Sequence, residues 1–188
     1  MKISSITRET KETKIKLTFP SAESSISTGI GFFDHMLTAM TFYAGLPLEL
    51  SVTGDLNVDA HHTVEDAGIA LGDVLTAALG DKLGIRRFAH AYIPMDEALA
   101  FAALDICGRV YVKLDADFPQ EAIGEYDSCL TEEFLRAFCQ HAGITLHAGV
   151  TGKNAHHMTE ALFKALGVAL GDAVQVTGSN VTSTKGVL

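Results

Sequence analysis

Apolar residues alternate with polar ones at the start of the chain. Ile3, Ile6, Ile15, Leu17 and Phe19 are separated by polar residues up to Pro20, which predicts a hairpin with one buried face. A Gly29-Ile30-Gly31 turn then leads into Phe32 to Tyr43, where Phe33, Met36, Leu37 and Met40 recur at helical spacing before Gly45 and Pro47. Leu48, Leu50 and Val52 alternate as a strand. After Gly54 a small-residue helix is expected from Thr63 to Leu79, closing at Gly80.

From Phe88 the pattern begins again. Strands are expected around Ala98 to Leu104 and Val110 to Leu114, then a helix from Thr131 to Ala142 with Thr131 as N-cap and Glu132 and Glu133 in its first turn. A last helix runs from His156 to Ala173. The order strand, strand, helix, strand, helix is thus repeated. Sliding one half over the other puts Ala44-Gly45-Leu46 on Ala142-Gly143-Ile144, Leu48 on Leu146 and Gly54 on Gly152; after a three-residue gap Leu71-Gly72 falls on Leu166-Gly167. A tandem duplication with an approximate internal two-fold is the reading. No Pro, Gly or Ser run separates the copies between Gly80 and Ala98, so one domain made of two halves, about 1–90 and 91–188, is expected. The helices would pack together under the sheets in an α+β layering.

The duplication carries a chemical motif. His-His-x-x-Glu occurs as His61-His62-Thr63-Val64-Glu65 and as His156-His157-Met158-Thr159-Glu160, 95 residues apart. On a helix, positions three and four apart share a face, so Glu65 can sit beside either histidine, while adjacent imidazoles point about 100° apart. One such motif alone reads as a helix N-terminus with solvated charges. Two copies at corresponding places favour ligands for a divalent transition metal, with nitrogen and oxygen donors within one turn. The Asp34-His35 pair, flanked by apolar residues, is either a buried histidine satisfied by its neighbour or a ligand whose ring Asp34 holds.

Composition narrows the classes. With 47% hydrophobic residues, 188 residues can bury a core. A formal charge of −9 and a pI near 5.2 argue against a nucleic-acid or anionic-membrane surface, while a local group of basic residues leaves a small anionic ligand open. Cys107, Cys129 and Cys139 are odd in number and lack close pairing, which reads as reduced, mostly buried thiols of a cytosolic protein. Charged residues crowd the first fourteen positions and no apolar run reaches membrane-spanning length, so an unprocessed soluble protein is expected.

Taken together, the motifs resemble one family closely, imidazoleglycerol-phosphate dehydratase. The matching stretches are Lys11-Glu12-Thr13, Gly29 to Leu37, Asp59 to Gly72, Gly84 to Phe88, Pro94 to Leu99, Asp105 to Arg109, Thr145-Leu146-His147, Asn154 to Leu166 and the tail Ser183 to Leu188. They span almost the whole chain in the family's order. The resemblance implies a duplicated α+β fold with helices between two mixed four-stranded sheets. It also implies 24 subunits in a cage, with paired divalent ions, manganese foremost, at subunit contacts. His35, His61, His62 and Glu65 match the first half's metal ligands, and His156, His157 and Glu160 the second half's. Where much of the family has a further histidine, this chain carries Glu133, which falls on His35 in the repeat. His141 and His147 are its competitors for that place. Manganese accepts oxygen donors, so a carboxylate there is compatible with metal binding.

The resemblance further implies that Glu12, Arg87, Arg109, Lys164, Ser183 and Lys185 bind the substrate, the cations through charge-assisted bonds to phosphate. The reaction implied is loss of water from imidazole glycerol 3-phosphate to give imidazole acetol phosphate, a step of histidine biosynthesis in the cytoplasm. Two metal ions acting as Lewis acids on the imidazole ring would help expel the hydroxyl, and Glu12 or Glu160 would move the proton. Two other classes fit parts of the pattern: a metal-storing oligomer, and a metallohydrolase of phosphate esters.

Overall fold

A computed structural model of the chain describes residues 1–187; Leu188, the last residue of the tail stretch and of the expected second half, lies outside the described residues. The first half runs β1 (Ser4–Glu9), β2 (Thr13–Phe19), β3 (Ser25–Ser27), α1 (Gly31–Ala44), β4 (Glu49–Gly54) and α2 (His61–Leu79). The second runs β5 (Phe88–Met95), β6 (Ala98–Ile106), β7 (Tyr111–Ala116), a two-stranded arm of β8 (Ala122–Ile123) and β9 (Tyr126–Asp127), α3 (Leu130–Ala142), β10 (Ile144–Thr151) and α4 (Ala155–Ala173). Each half forms a four-stranded mixed sheet, in the orders β1-β2-β4-β3 and β5-β6-β10-β7. Both sheets end on the one parallel pairing, β3 with β4 and β7 with β10. The fold is the expected α+β duplication.

Period-two burial shows why the sheets need a layer beneath them. Ile15, Leu17 and Phe19 on β2 and Leu50 and Val52 on β4 turn inward, as do Ala98, Ala100, Ala102, Leu104 and Ile106 on β6. α2 covers the first sheet and α4 the second, and the helices meet across the halves, α2 against α3 and α1 against α4. Glycine permits both crossings. A Cβ on Gly72 would meet the Phe138 carbonyl oxygen at 2.6 Å, and one on Gly167 the Met40 carbonyl oxygen at 2.3 Å. Gly72 corresponds to Gly167 in the repeat and Phe138 to Met40, so the internal two-fold holds at the level of single contacts.

Several expectations are corrected. Each half places three strands of its four-stranded sheet before its first helix rather than two, and the second half adds the β8/β9 arm. β3 has one apolar residue, Ile26, too few to alternate, and β5 is an edge strand in which Pro94 is tolerated. β7 spans Tyr111–Ala116 rather than starting at Val110. Ile3 is exposed and lies outside β1. Thr131 is not the N-cap of α3: the helix starts at Leu130, and the buried Thr131 hydroxyl instead pairs with the Tyr126 hydroxyl at 3.1 Å. Tyr126 is carried by the short β8/β9 arm and stacks on Phe33, a contact that no local pattern announces. α2 starts at His61 rather than Thr63, so both histidine pairs lie in the first turn of a helix.

Candidate metal centre and basic pocket

Helix starts position the histidines. Asn154 caps α4, its side-chain oxygen accepting from the backbone N–H of His156 at 2.9 Å and of His157 at 3.4 Å, and Asp59 accepts from the His61 N–H at 2.8 Å. His35 lies one turn into α1. The Asp34 carboxylate does not hold the His35 ring; it accepts from the Thr28 N–H and hydroxyl at 2.7 and 2.6 Å and so fixes the turn that launches α1.

α1 and α4 together bring three donors to one point. The Glu160 Oε2 oxygen lies 3.3 Å from His35 Nε2 and 3.2 Å from His156 Nε2. Among the described residues, His35, His156 and Glu160 are the set whose ligand atoms all lie within 4.8 Å of one another. Two imidazole nitrogens and a carboxylate oxygen form a donor set suited to a first-row divalent ion. The other Glu160 oxygen accepts from Lys164 Nζ at 2.8 Å. Burial pushes the Glu160 carboxyl up, but Lys164 and His35 outweigh it and hold its pKa below the ordinary carboxylate value. Lys164, expected at the substrate, thus sits beside the histidine cluster.

The corresponding residues of the other half are looser. His61 Nε2 and Glu65 Oε2 are 3.9 Å apart and both side chains are more than two-fifths exposed. Glu133 lies in the first turn of α3, partly buried, where the repeat sets it against His35. His141 is turned away, its Nδ1 2.8 Å from Asp73 and its carbonyl accepting from the Thr76 hydroxyl. His147 lies on β10 against the Tyr111 ring. Neither joins the histidine pairs.

His62 and His157 are held differently from the clustered rings. His62 Nδ1 is 3.0 Å from Asp55 Oδ2, and its Nε2 faces Glu12 Oε1 at 3.8 Å. His157 Nδ1 is 2.9 Å from Glu97 Oε2, and its Nε2 faces Asp96 Oδ2 at 3.8 Å. Asp55 raises the His62 pKa and Glu97 raises that of His157. Glu97 is itself lowered to about 2 by His157 and by the backbone N–H groups of Lys153 and Asn154. Glu12 reaches His62 because buried Asp66 anchors the β1–β2 hairpin to α2, bonding Arg8 at 2.7 Å and the Thr13 hydroxyl. Asp55 and Glu97 were not among the expected site residues. Glu97 lies 60 positions from its histidine, and Asp55 is reached only through a loop, so helical spacing shows neither pairing.

A second grouping is basic. Arg87, Arg109, Ser183, Thr184 and Lys185 line an open cavity of about 710 Å³ together with Cys107. Arg87 is buried with φ 76°, and each of its guanidinium nitrogens makes a hydrogen bond: Nε and Nη2 donate to the two Asp105 oxygens at 2.7 and 3.1 Å, and Nη1 donates to the Thr182 carbonyl at 2.7 Å. Arg87 therefore fastens the tail. Arg109 is 70% exposed, 3.9 Å from Asp105, and with Lys185 supplies the cationic groups open to an anion. Ser183 turns the tail, its hydroxyl accepting from the Lys185 N–H at 3.2 Å. No helix among the described residues is long and apolar enough to cross a membrane.

The model of the imidazoleglycerol-phosphate dehydratase family matches residues 28–170. The imidazoleglycerol-phosphate dehydratase of an Exiguobacterium species is 50% identical over 191 residues, covering 99% of this chain and 98% of that protein. The Bacillus cereus enzyme is 53% identical over 196 residues, and each chain is covered to 100%. The crystal structure of imidazoleglycerol-phosphate dehydratase from Staphylococcus aureus is similar at 40% identity and a TM-score of 0.85, covering 94% of this chain and 100% of that one. The IGPD structure from Pyrococcus furiosus, at 38% identity, has a TM-score of 0.86 and covers 97% and 100%. The chain belongs to the imidazoleglycerol-phosphate dehydratase family, hydro-lyases of histidine biosynthesis that act on a small phosphorylated substrate.

Proposed function

We propose that this chain dehydrates imidazole glycerol 3-phosphate to imidazole acetol phosphate with two divalent metal ions per site, manganese foremost, as a cytoplasmic oligomer of 24 subunits. The observation that carries the metal dependence is the convergence of His35, His156 and Glu160 within 4.8 Å. These three would hold one ion, with His61, Glu65 and Glu133 as the counterpart set and His62 and His157 completing the ligands. When bound, the ions supply Lewis acidity towards the imidazole ring of the substrate.

The chain's own groups do the rest. Arg109 and Lys185 neutralise the phosphate, the Ser183 turn shapes the tail around it, and Arg87 keeps the tail in place through Thr182. Glu12 is the better proton carrier of the two carboxylates. Its side chain is half exposed and faces His62 Nε2 without a bond, whereas Glu160 is committed to Lys164 and two histidines. Glu160 is then a ligand. Both halves serve one reaction, and 1–188 is taken as a single domain.

Assembly has support from the outer face of the second sheet, where Phe88, Tyr92, Leu99 and Tyr111 stand exposed. The matching face of the first sheet carries Lys14, Lys16, Thr18, Ser51 and Thr53. An aromatic face of this kind favours burial against another copy. The storage and phosphate-ester hydrolase readings give way to membership of a hydro-lyase family.

The test is an assay of imidazole acetol phosphate formed by manganese-loaded protein, with chelated and reloaded controls and inorganic phosphate measured in parallel. Product that disappears on chelation and returns with manganese supports the proposal. Product unaffected by chelation, or phosphate in its place, contradicts it.

A further inference from the structure

Two imidazoles are held by different carboxylates in the same way. The Nδ1 atoms of His62 and His157 each meet a carboxylate oxygen at 3.0 and 2.9 Å, and the Nε2 atoms have no hydrogen-bond partner among the described residues. A carboxylate only accepts, so Nδ1 carries a proton, and in the neutral ring that leaves the lone pair on Nε2.

The acceptors are not equivalent residues. Gly54 corresponds to Gly152, so the counterpart of Asp55 is Lys153, which has no carboxylate; its backbone N–H donates instead to Glu97 at 3.1 Å. Glu97 belongs to the β5–β6 turn, next to Ala98, which lies beside Gly152 as Thr13 lies beside Gly54. Its first-half counterpart is therefore Glu12. In the first half Asp55 occupies the ring nitrogen and Glu12 is left unbound; in the second half Glu97 occupies it. The bond to Nδ1 is kept while the residue that makes it has changed position, which chance side-chain placement does not explain.

We infer that Asp55 and Glu97 are positioning residues that fix His62 and His157 in the Nδ1–H tautomer and aim Nε2 at a metal ion. The inference rests on the metal-dependent reading above. Each acts through its histidine and touches no substrate. Glu97 does so rigidly, since it also accepts from the Lys153 and Asn154 N–H groups, whereas the described side-chain partners of Asp55 are His62 alone.

Manganese affinity measured by chelator competition, together with thermal unfolding of the metal-free protein, tests this. Asp55→Ala is expected to weaken manganese binding about 10- to 100-fold with little change in metal-free unfolding. Asp55→Asn, whose amide oxygen still accepts, is expected to recover part of that loss. In a His62→Ala background Asp55→Ala should cause no further loss, because a residue acting through the ring has nothing left to act on. Glu97→Gln, which keeps an acceptor for the α4 N–H groups, should fall between wild type and Glu97→Ala. An Asp55→Ala affinity within twofold of wild type, or losses that multiply with His62→Ala, overturns the positioning role and leaves the metal reading intact. Wild-type protein that binds no manganese overturns both.

Discussion

The two halves share topology, helix crossings and the His-His-x-x-Glu motif, yet among the described residues only the second half's motif has its donor atoms already gathered at one point. α1 gives a histidine, His35, to the motif of α4, and Glu160 Oε2 lies 3.3 and 3.2 Å from two imidazoles. α3 gives a carboxylate, Glu133, to the side of α2, where His61 and Glu65 are 3.9 Å apart and open to solvent. A histidine Nε2 can approach a carboxylate without charge repulsion, and Lys164 supports it; Glu133 takes the place of His35 in the repeat, and a carboxylate turned from there towards Glu65 would need a cation between the two like charges. Under the proposed function, the first-half set depends more on its metal to assemble.

Removing a ligand breaks this comparison most severely. His156→Ala should lower turnover by about 10³-fold or more, since it removes a ligand and with it Lewis acidity, and His61→Ala should show the same sign with a larger share recovered by added manganese; both are read as rate against manganese concentration. Glu12→Gln should lower turnover about 10²- to 10⁴-fold with metal content retained, whereas Glu160→Gln should lose metal as well. Equal metal retention in both would return Glu160 to the list of proton carriers. Glu133→His, which makes the halves alike, should tighten manganese binding by up to about tenfold, because it gives the first-half set the imidazole that His35 gives the second; unchanged binding would place Glu133 outside the site.

Packing should respond more evenly. Gly167→Ala and Gly72→Ala each force a methyl onto a facing carbonyl and should cost about 1–3 kcal/mol of stability, Gly167 the more, as the approach is closer. Denaturant midpoints check the order. The smallest effect concerns matching positions Thr41 and Cys139. Thr41 satisfies its hydroxyl on the Leu37 carbonyl at 2.9 Å, while burial pushes the Cys139 thiol up to about 12. The folded protein keeps that proton, so its contribution is intact below the ordinary thiol pKa and declines as pH rises from there towards 12. Native protein titrated with a thiol reagent at pH 8 should therefore show exposed Cys129 reacting and Cys139 protected.

The alternation of Ile15, Leu17 and Phe19 and the helical spacing in Phe33 to Met40 were legible because burial on one face leaves a period in the sequence. β3 and β5 were not, one being too short to alternate and the other an edge strand mixing Ala, His and Pro. At the site, the paired motifs pointed to candidate metal ligands, of which the structure brings His156 and Glu160 together with His35. Asp34 and Thr131 went to turn and arm contacts instead, because short polar side chains take the nearest backbone or hydroxyl partner. Arg87 was expected at the substrate and does line the basic pocket, while its tertiary bonds to Asp105 and Thr182 left no local pattern in the sequence.

On the proposed function, the α1–α4 cluster of His35, His156 and Glu160 holds a catalytic metal. Anomalous scattering at the manganese edge from crystals of active, manganese-loaded protein tests it directly. A peak in bonding contact with His35 Nε2, His156 Nε2 and Glu160 is the predicted result. Active crystals with no peak at those three atoms would contradict it.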